Sequence, residues 1–141
     1  MDMQALIFQA RAAYVHAYAP YSKFYVGAAL LDVQGAIWPG CNIENASYGV
    51  TLCAERVALG SALACGMRNF QAIAVVNACD TPTYPCGICL QMLVELMPQG
   101  LIFVAFCNEI ITHIVSDLLP KAFGDYRTSQ ATAIKSFQYL Q

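Results

Sequence analysis

Between Gln4 and Tyr18 apolar residues recur at the spacing of one helical face (Leu6, Ala10, Ala13, Val15 and Ala17), and Ala19-Pro20 closes the run. The period then changes. Tyr25 to Val33 reads as a strand, Gln34-Gly35 as a turn, and Ala36 to Cys41 as the returning half of a hairpin. A loop from Asn42 to Tyr48 leads to a second helix, from near Cys53 to about Cys65, which Gly66 is placed to stop. Gln71 to Cys79 is strand-like again and is broken by Asp80-Thr81-Pro82. A third helix is predicted from around Cys86 to just before Pro98-Gln99-Gly100. Leu101 to Cys107 and Ile110 to Val115 supply two more strands, and a short helix precedes Pro120. Strands alternating with helices predict an α/β fold, a layered sheet covered on both faces where its strands are parallel. No repeat, low-complexity tract or linker breaks the pattern, so residues 1–141 are expected to form one domain, with a polar tail at 124–141 that takes no predicted element.

Composition adds an expectation about assembly. Apolar residues make up 58% of the chain and charged ones 11%, against roughly 45–50% and 25% in ordinary domains. A small domain so short of charge is expected to cover part of its surface with further copies of itself, as a homo-oligomer. The longest apolar run, Leu101 to Cys107, is far shorter than the ~20 residues a membrane helix needs. Met1-Asp2-Met3-Gln4 lacks a basic region followed by an apolar stretch, so no secretory leader and a cytoplasmic location are expected. The net charge is −2 and the seven Lys and Arg are scattered, which argues against a nucleic-acid partner.

The chemistry concentrates in Cys53-Ala54-Glu55 and, further on, Pro85-Cys86-Gly87-Ile88-Cys89. Three thiolates hold a zinc ion while leaving its fourth tetrahedral position open, the arrangement of a catalytic site. Glu55, two residues from the first of them, is placed to move protons at that position. Cys53 and the Cys86/Cys89 pair each fall where a helix begins, and the positive end of a helix favours the thiolate that metal binding requires. Three thiolates on a divalent ion leave a net charge of −1, and Arg56 is the candidate to offset it.

Seven cysteines is an odd number, and Cys41, Cys65, Cys79 and Cys107 are expected to be small apolar core residues. A redox role for Cys86 and Cys89 lacks a thioredoxin-like sequence around it. A purely structural zinc would want a fourth ligand. His16, expected in the first helix, and His113, expected in a strand, read as ordinary packed or exposed side chains.

With these residues in view, the chain resembles the short, single-domain cytidine deaminases that act on free nucleosides, from about Ala17 to Phe123. The resemblance rests jointly on Ala17-Tyr18-Ala19-Pro20-Tyr21-Ser22-Lys23-Phe24, Gly40-Cys41-Asn42-Ile43-Glu44-Asn45-Ala46-Ser47-Tyr48, Cys53-Ala54-Glu55-Arg56, Pro85-Cys86-Gly87-Ile88-Cys89 and Leu118-Leu119-Pro120. It implies a three-layer fold with a mixed five-stranded sheet flanked by helices, one zinc ion per chain, and a homotetramer with active sites at subunit interfaces. It implies that Asn42 and Glu44 hydrogen-bond the ribose 3′-hydroxyl, and that Ala46 and Tyr48 approach the 5′ end from a neighbouring subunit. Phe24 would stack on the pyrimidine, Phe123 would contact the base from another subunit, and backbone near Ala54 and Cys89 would address the base edge. An amide and a carboxylate suit a sugar diol, and aromatic faces suit a planar base. The implied reaction is hydrolysis of cytidine and 2′-deoxycytidine to uridine and 2′-deoxyuridine plus ammonia, in pyrimidine salvage. A zinc-activated water would attack C4 while Glu55 carries protons to N3 and to the leaving amine.

The chain departs from that family in one place: members usually carry Arg directly after the second cysteine of the pair, and here Leu90 stands there. The tail beyond Phe123 also has no clear counterpart. Related substrates fit less well. A phosphate would call for Lys or Arg between Asn42 and Tyr48, where there is none. Polynucleotides would need the missing basic track, and antibiotic deaminases have different residues in the sugar loop. A zinc scaffold without catalysis would have no use for Glu55.

Overall fold

In the computed structural model, described over residues 2–124, five strands form one mixed sheet. The strands are β1 (Gly27–Asp32), β2 (Ile37–Cys41), β3 (Phe70–Val76), β4 (Leu101–Phe106) and β5 (Glu109–Ile114), in the order β2-β1-β3-β4-β5. Only β3 and β4 run parallel, joined by a crossover through α3 (Gly87–Leu96); the other neighbours are antiparallel. The remaining helices are α1 (Met3–Tyr14), α2 (Ala54–Ala64) and α4 (Val115–Leu118). The predicted α/β sheet flanked by helices is therefore what the chain forms.

Alternation along the strands divides the interior in two. Ala28 and Leu30 of β1, Ile73 and Val75 of β3, and Ile102 and Val104 of β4 face α2 and α3, packing with Ala58, Leu59, Leu90, Leu93 and Val94. Their neighbours Ala29, Leu31, Ala72, Ala74, Phe103 and Ala105 face Leu6, Ile7 and Ala10 of α1. Burial on both faces explains why these strands read as continuous apolar runs. The α1 side is built largely of alanine, so that helix lies close to the sheet. A Cβ on Gly27 would sit 2.1 Å from the Ala10 carbonyl oxygen.

The ends of elements differ from the sequence expectation, and for a tertiary reason. Asp2 caps α1 by accepting from Gln4 N (3.0 Å) and Ala5 N (3.1 Å). The helix stops at Tyr14, not Tyr18, because Tyr18 pairs elsewhere: its N–H donates to Asn42 O (2.9 Å) and its carbonyl accepts from Glu44 N (2.8 Å). His16 thus lies beyond the helix, correcting its expected place. In the β1–β2 turn, buried Asp32 accepts from Gln34 N (2.8 Å), Ala36 N (2.9 Å) and Trp38 Nε1 (2.9 Å). Burial raises its pKa, but the bonds from Trp38, Ala36, Gln34 and Gly35 outweigh that and hold it below the usual carboxylate value.

The expectation for the spare cysteines is overturned. Cys65, Cys79 and Cys107 are exposed and Cys41 is half-buried. Cys65 caps the end of α2, Cys79 follows β3, and Cys107 sits in the β4–β5 turn with φ +46°, its thiol donating to Asp80 Oδ1 at 3.0 Å. Strand β3 ends at Val76 and β4 at Phe106, short of Cys79 and Cys107, while Cys41 closes β2 at the edge of the sheet. Among the described residues no helix is long and apolar enough to cross a membrane.

Candidate functional site

Cys53 is the N-cap residue of α2, Cys86 is that of α3, and Cys89 lies in the first turn of α3. The two helix starts converge on the same face of the sheet. Cys53 Sγ lies 3.7 Å from Cys86 Sγ, and Cys86 Sγ 3.6 Å from Cys89 Sγ. All three sulfurs fall within 4.8 Å of one another. Thiolates about 2.3 Å from a tetrahedral zinc stand about 3.8 Å apart, so the residues fit that ion. Among the described residues no fourth Cys, His, Asp or Glu joins the group. His113 is on β5, its ring against Tyr84 at 5.5 Å, and His16 is in the turn after α1.

The thiols share their protons unequally. Cys53 is pulled down to about 5, chiefly by a hydrogen bond from Cys89 and further by Cys86 and Arg56, against the opposing effect of burial. Cys89, fully buried and donating that bond, is pushed well above the ordinary thiol value. Metal binding here must displace protons.

Glu55 is 3% exposed. Burial pushes its pKa up to about 7 and the Cys53 charge adds to that, while its own backbone N–H, Cys89 and Arg56 oppose. The carboxyl is thus poised to take or give a proton near neutrality. Arg56 hydrogen-bonds Cys53, and its Nη2 donates to Thr51 O at 2.7 Å. Its Nε is buried with no partner among the described residues. Leu90 packs in the core with Leu93 and Val94, so the place where the resemblance implies a second arginine contributes packing and no charge.

Three of the residues expected around the substrate, Phe24, Asn42 and Glu44, lie in one hydrogen-bonded turn that is tied to the segment before Cys53. Ile43 and Leu52 exchange N–H···O bonds of 2.9 Å each way, tying the Asn42–Tyr48 loop to the segment that leads into Cys53. Asn42 is buried; its Oδ1 accepts from Val26 N (2.8 Å) and its Nδ2 donates to Phe24 O (2.8 Å). Glu44 accepts from Tyr21 N (2.9 Å), Ser22 N (3.2 Å) and the Ser22 hydroxyl. Those bonds, led by the one from the Ser22 hydroxyl, lower its pKa. Ser22 Oγ also accepts from Phe24 N at 3.0 Å, across Lys23 in the left-handed region at φ +59°. Asn42 and Glu44 therefore shape the turn that presents Phe24.

Ala54 is fully buried at the start of α2, while Ala46 is exposed. Tyr48 is 74% exposed, its ring edge-on to Tyr21 at 5.9 Å. Phe123 is 89% exposed, and Gln91 on α3 holds its backbone at both ends. Sequence reasoning gave no part to Ser22, Thr51 or Gln91. Ser22 stood inside a quoted motif; Thr51 and Gln91 act through backbone bonds that leave no local pattern. Most of the tail at 124–141, with Ile134, Phe137, Tyr139 and Leu140, lies outside the described residues.

Comparison with known proteins points one way. A family profile described as "Cytidine and deoxycytidylate deaminase zinc-binding region" matches residues 2–105. The chain is 50% identical over 125 residues to a cytidine deaminase of Halalkalibacterium halodurans, covering 87% of this chain and 95% of that protein. It is 45% identical over 134 residues to one from Sporosarcina psychrophila, covering 93% and 98% respectively. The crystal structure of cytidine deaminase from Burkholderia pseudomallei superposes with a TM-score of 0.84 at 49% identity, covering 87% of this chain and all (100%) of that one.

Proposed function

The chain belongs to the cytidine deaminase family, and from that premise we propose how its own residues remove the amino group of the base. The enzyme is a zinc-dependent hydrolase that converts cytidine and water to uridine and ammonia. We extend the substrate to 2′-deoxycytidine and the setting to pyrimidine salvage in the cytoplasm. Residues 1–141 are read as one deaminase domain.

Cys53, Cys86 and Cys89 hold the zinc ion, and the observation that carries the proposal is their convergence beside a buried Glu55. When bound, zinc supplies the Lewis acidity that makes water a nucleophile near neutral pH. Glu55 would take one proton from the attacking water and pass it to ring N3 to make C4 electrophilic, then take the second from the hydroxyl newly added at C4 and give it to the departing amine. Its pKa near 7 suits both directions of transfer. Arg56 offsets the thiolate charge. Asn42 and Glu44 bind the ribose 3′-hydroxyl with the hydrogen-bonding capacity left after their backbone bonds. Phe24, 41% exposed, stacks on the pyrimidine, and backbone near Ala54 and Cys89 meets the base edge. A homotetramer completes the site, with Ala46, Tyr48 and Phe123 reaching it from neighbouring subunits. The exposure of Tyr48 and Phe123 supports that assignment.

Purified protein incubated with cytidine should form uridine with about one zinc per chain. Glu55→Gln should lower kcat by at least ~100-fold while keeping zinc. Full turnover in that variant would remove Glu55 from the chemistry. Zinc-loaded wild type that makes no uridine would leave a metal scaffold.

A further inference from the structure

The backbone of Phe123 is held in an unusual way. Gln91 Nε2 donates to the Phe123 carbonyl at 2.9 Å, and Gln91 Oε1 accepts from the Phe123 N–H at 3.2 Å. One side-chain amide thus satisfies both polar groups of one residue, as a neighbouring strand would. The segment before it is anchored too, with Leu118, Leu119 and Ala122 packed against the core. After it, Gly124 turns at φ +90°. The side chain that emerges from this fixed backbone is nevertheless the most exposed large apolar group described, at 89%. Pinning costs chain entropy, and a phenylalanine held rigid in water returns none of it. The arrangement makes sense where the ring must arrive at a set position in something the described chain does not itself contain.

The helix that carries Gln91 is the one that carries Cys86 and Cys89. We infer that Gln91 is a positioning residue, which fixes Phe123 on α3 so that its ring closes over the base in the site of a second copy of this chain. The inference rests on the reading of Phe123 given above and adds to it the residue through which that contact is set. The side-chain hydrogen bonds of Gln91 among the described residues go to Phe123 and not to the thiols or Glu55, so its loss should raise KM and leave kcat and zinc content near wild type. A preset ring contributes through orientation; a free one must be ordered at each binding event.

The test is a double-mutant cycle on the zinc-loaded enzyme, with cytidine as substrate. Gln91→Met preserves volume on α3 and removes both hydrogen bonds. The expected result is a KM raised about five- to ten-fold in Q91M, more in Phe123→Ala, and no further rise when Q91M is added to F123A. Wild-type KM in Q91M beside a damaged F123A would overturn the positioning role alone. So would a Q91M effect that persists undiminished in the F123A background, or one that appears as lost zinc. Wild-type kinetics in F123A would remove the base contact itself, and the inference with it.

Discussion

Arg56 carries more than its usual share in this chain. Its guanidinium bonds Cys53 and the Thr51 carbonyl, and the place where the family resemblance implies a second arginine is filled by Leu90, turned into the core. Arg56→Ala should therefore lower zinc occupancy or turnover at least ten-fold, about 1.4 kcal/mol. Zinc content by atomic absorption, alongside the initial rate, separates the two effects; near-wild-type values for both would show that the helix termini alone balance the thiolates. Arg56→Lys keeps the charge and loses the fork, so it should recover only part of the defect. At this scale the sequence was most readable where spacing is short. Cys53, Glu55 and Arg56 share one helix start, and Cys86 and Cys89 one turn, so their geometry follows from helix periodicity. Gln91 and Phe123 lie far apart along the chain, and nothing local announces that they meet.

At the scale of elements, α2 must lie at a set height above β2 for Cys53 to reach the other two sulfurs. Gly40 permits it: a Cβ there would stand 2.3 Å from the Ala54 carbonyl oxygen and 2.6 Å from Ala58 N. Gly40→Ala should push the helix outward, costing about 3 kcal/mol in urea unfolding and weakening zinc retention against a chelator. Unchanged metal affinity in a folded G40A would mean that α2 can shift without moving Cys53. The β1–β2 turn offers a pH test through Asp32. Because its folded pKa is depressed, its contribution is fully present above the unfolded value of about 3.9 and fades as pH falls through the folded value. The stability gap between wild type and Asp32→Asn should thus be wide at pH 7, on the order of 1–3 kcal/mol, and narrower near pH 3. A gap that does not change with pH would assign the role to shape rather than charge. The strands themselves were legible because alternation and apolar runs are local. Their ends were not, since Tyr18 is claimed by Asn42 and Glu44, and Cys79 and Cys107 fall just past where sheet pairing stops.

For the whole molecule, the assignment of Phe123 to another subunit's site predicts complementation. Chains with Glu55→Gln and chains with Phe123→Ala should each be poor alone. Assembled together, they should work better with dilute cytidine than the two preparations summed, because some sites then join an intact Glu55 to an intact Phe123. Strictly additive activity from verified mixed tetramers would confine Phe123 to its own chain. A different consequence follows from the alanine-lined side of the sheet. Where α1 lies over Ala29, Ala72, Ala74 and Ala105, with Gly27 against the Ala10 carbonyl, the gap is set by the smallest residues available, and any larger replacement must wedge two layers apart. A saturation library would then find one of its barest columns of tolerated change on the face away from the metal, where selection guards thinness alone.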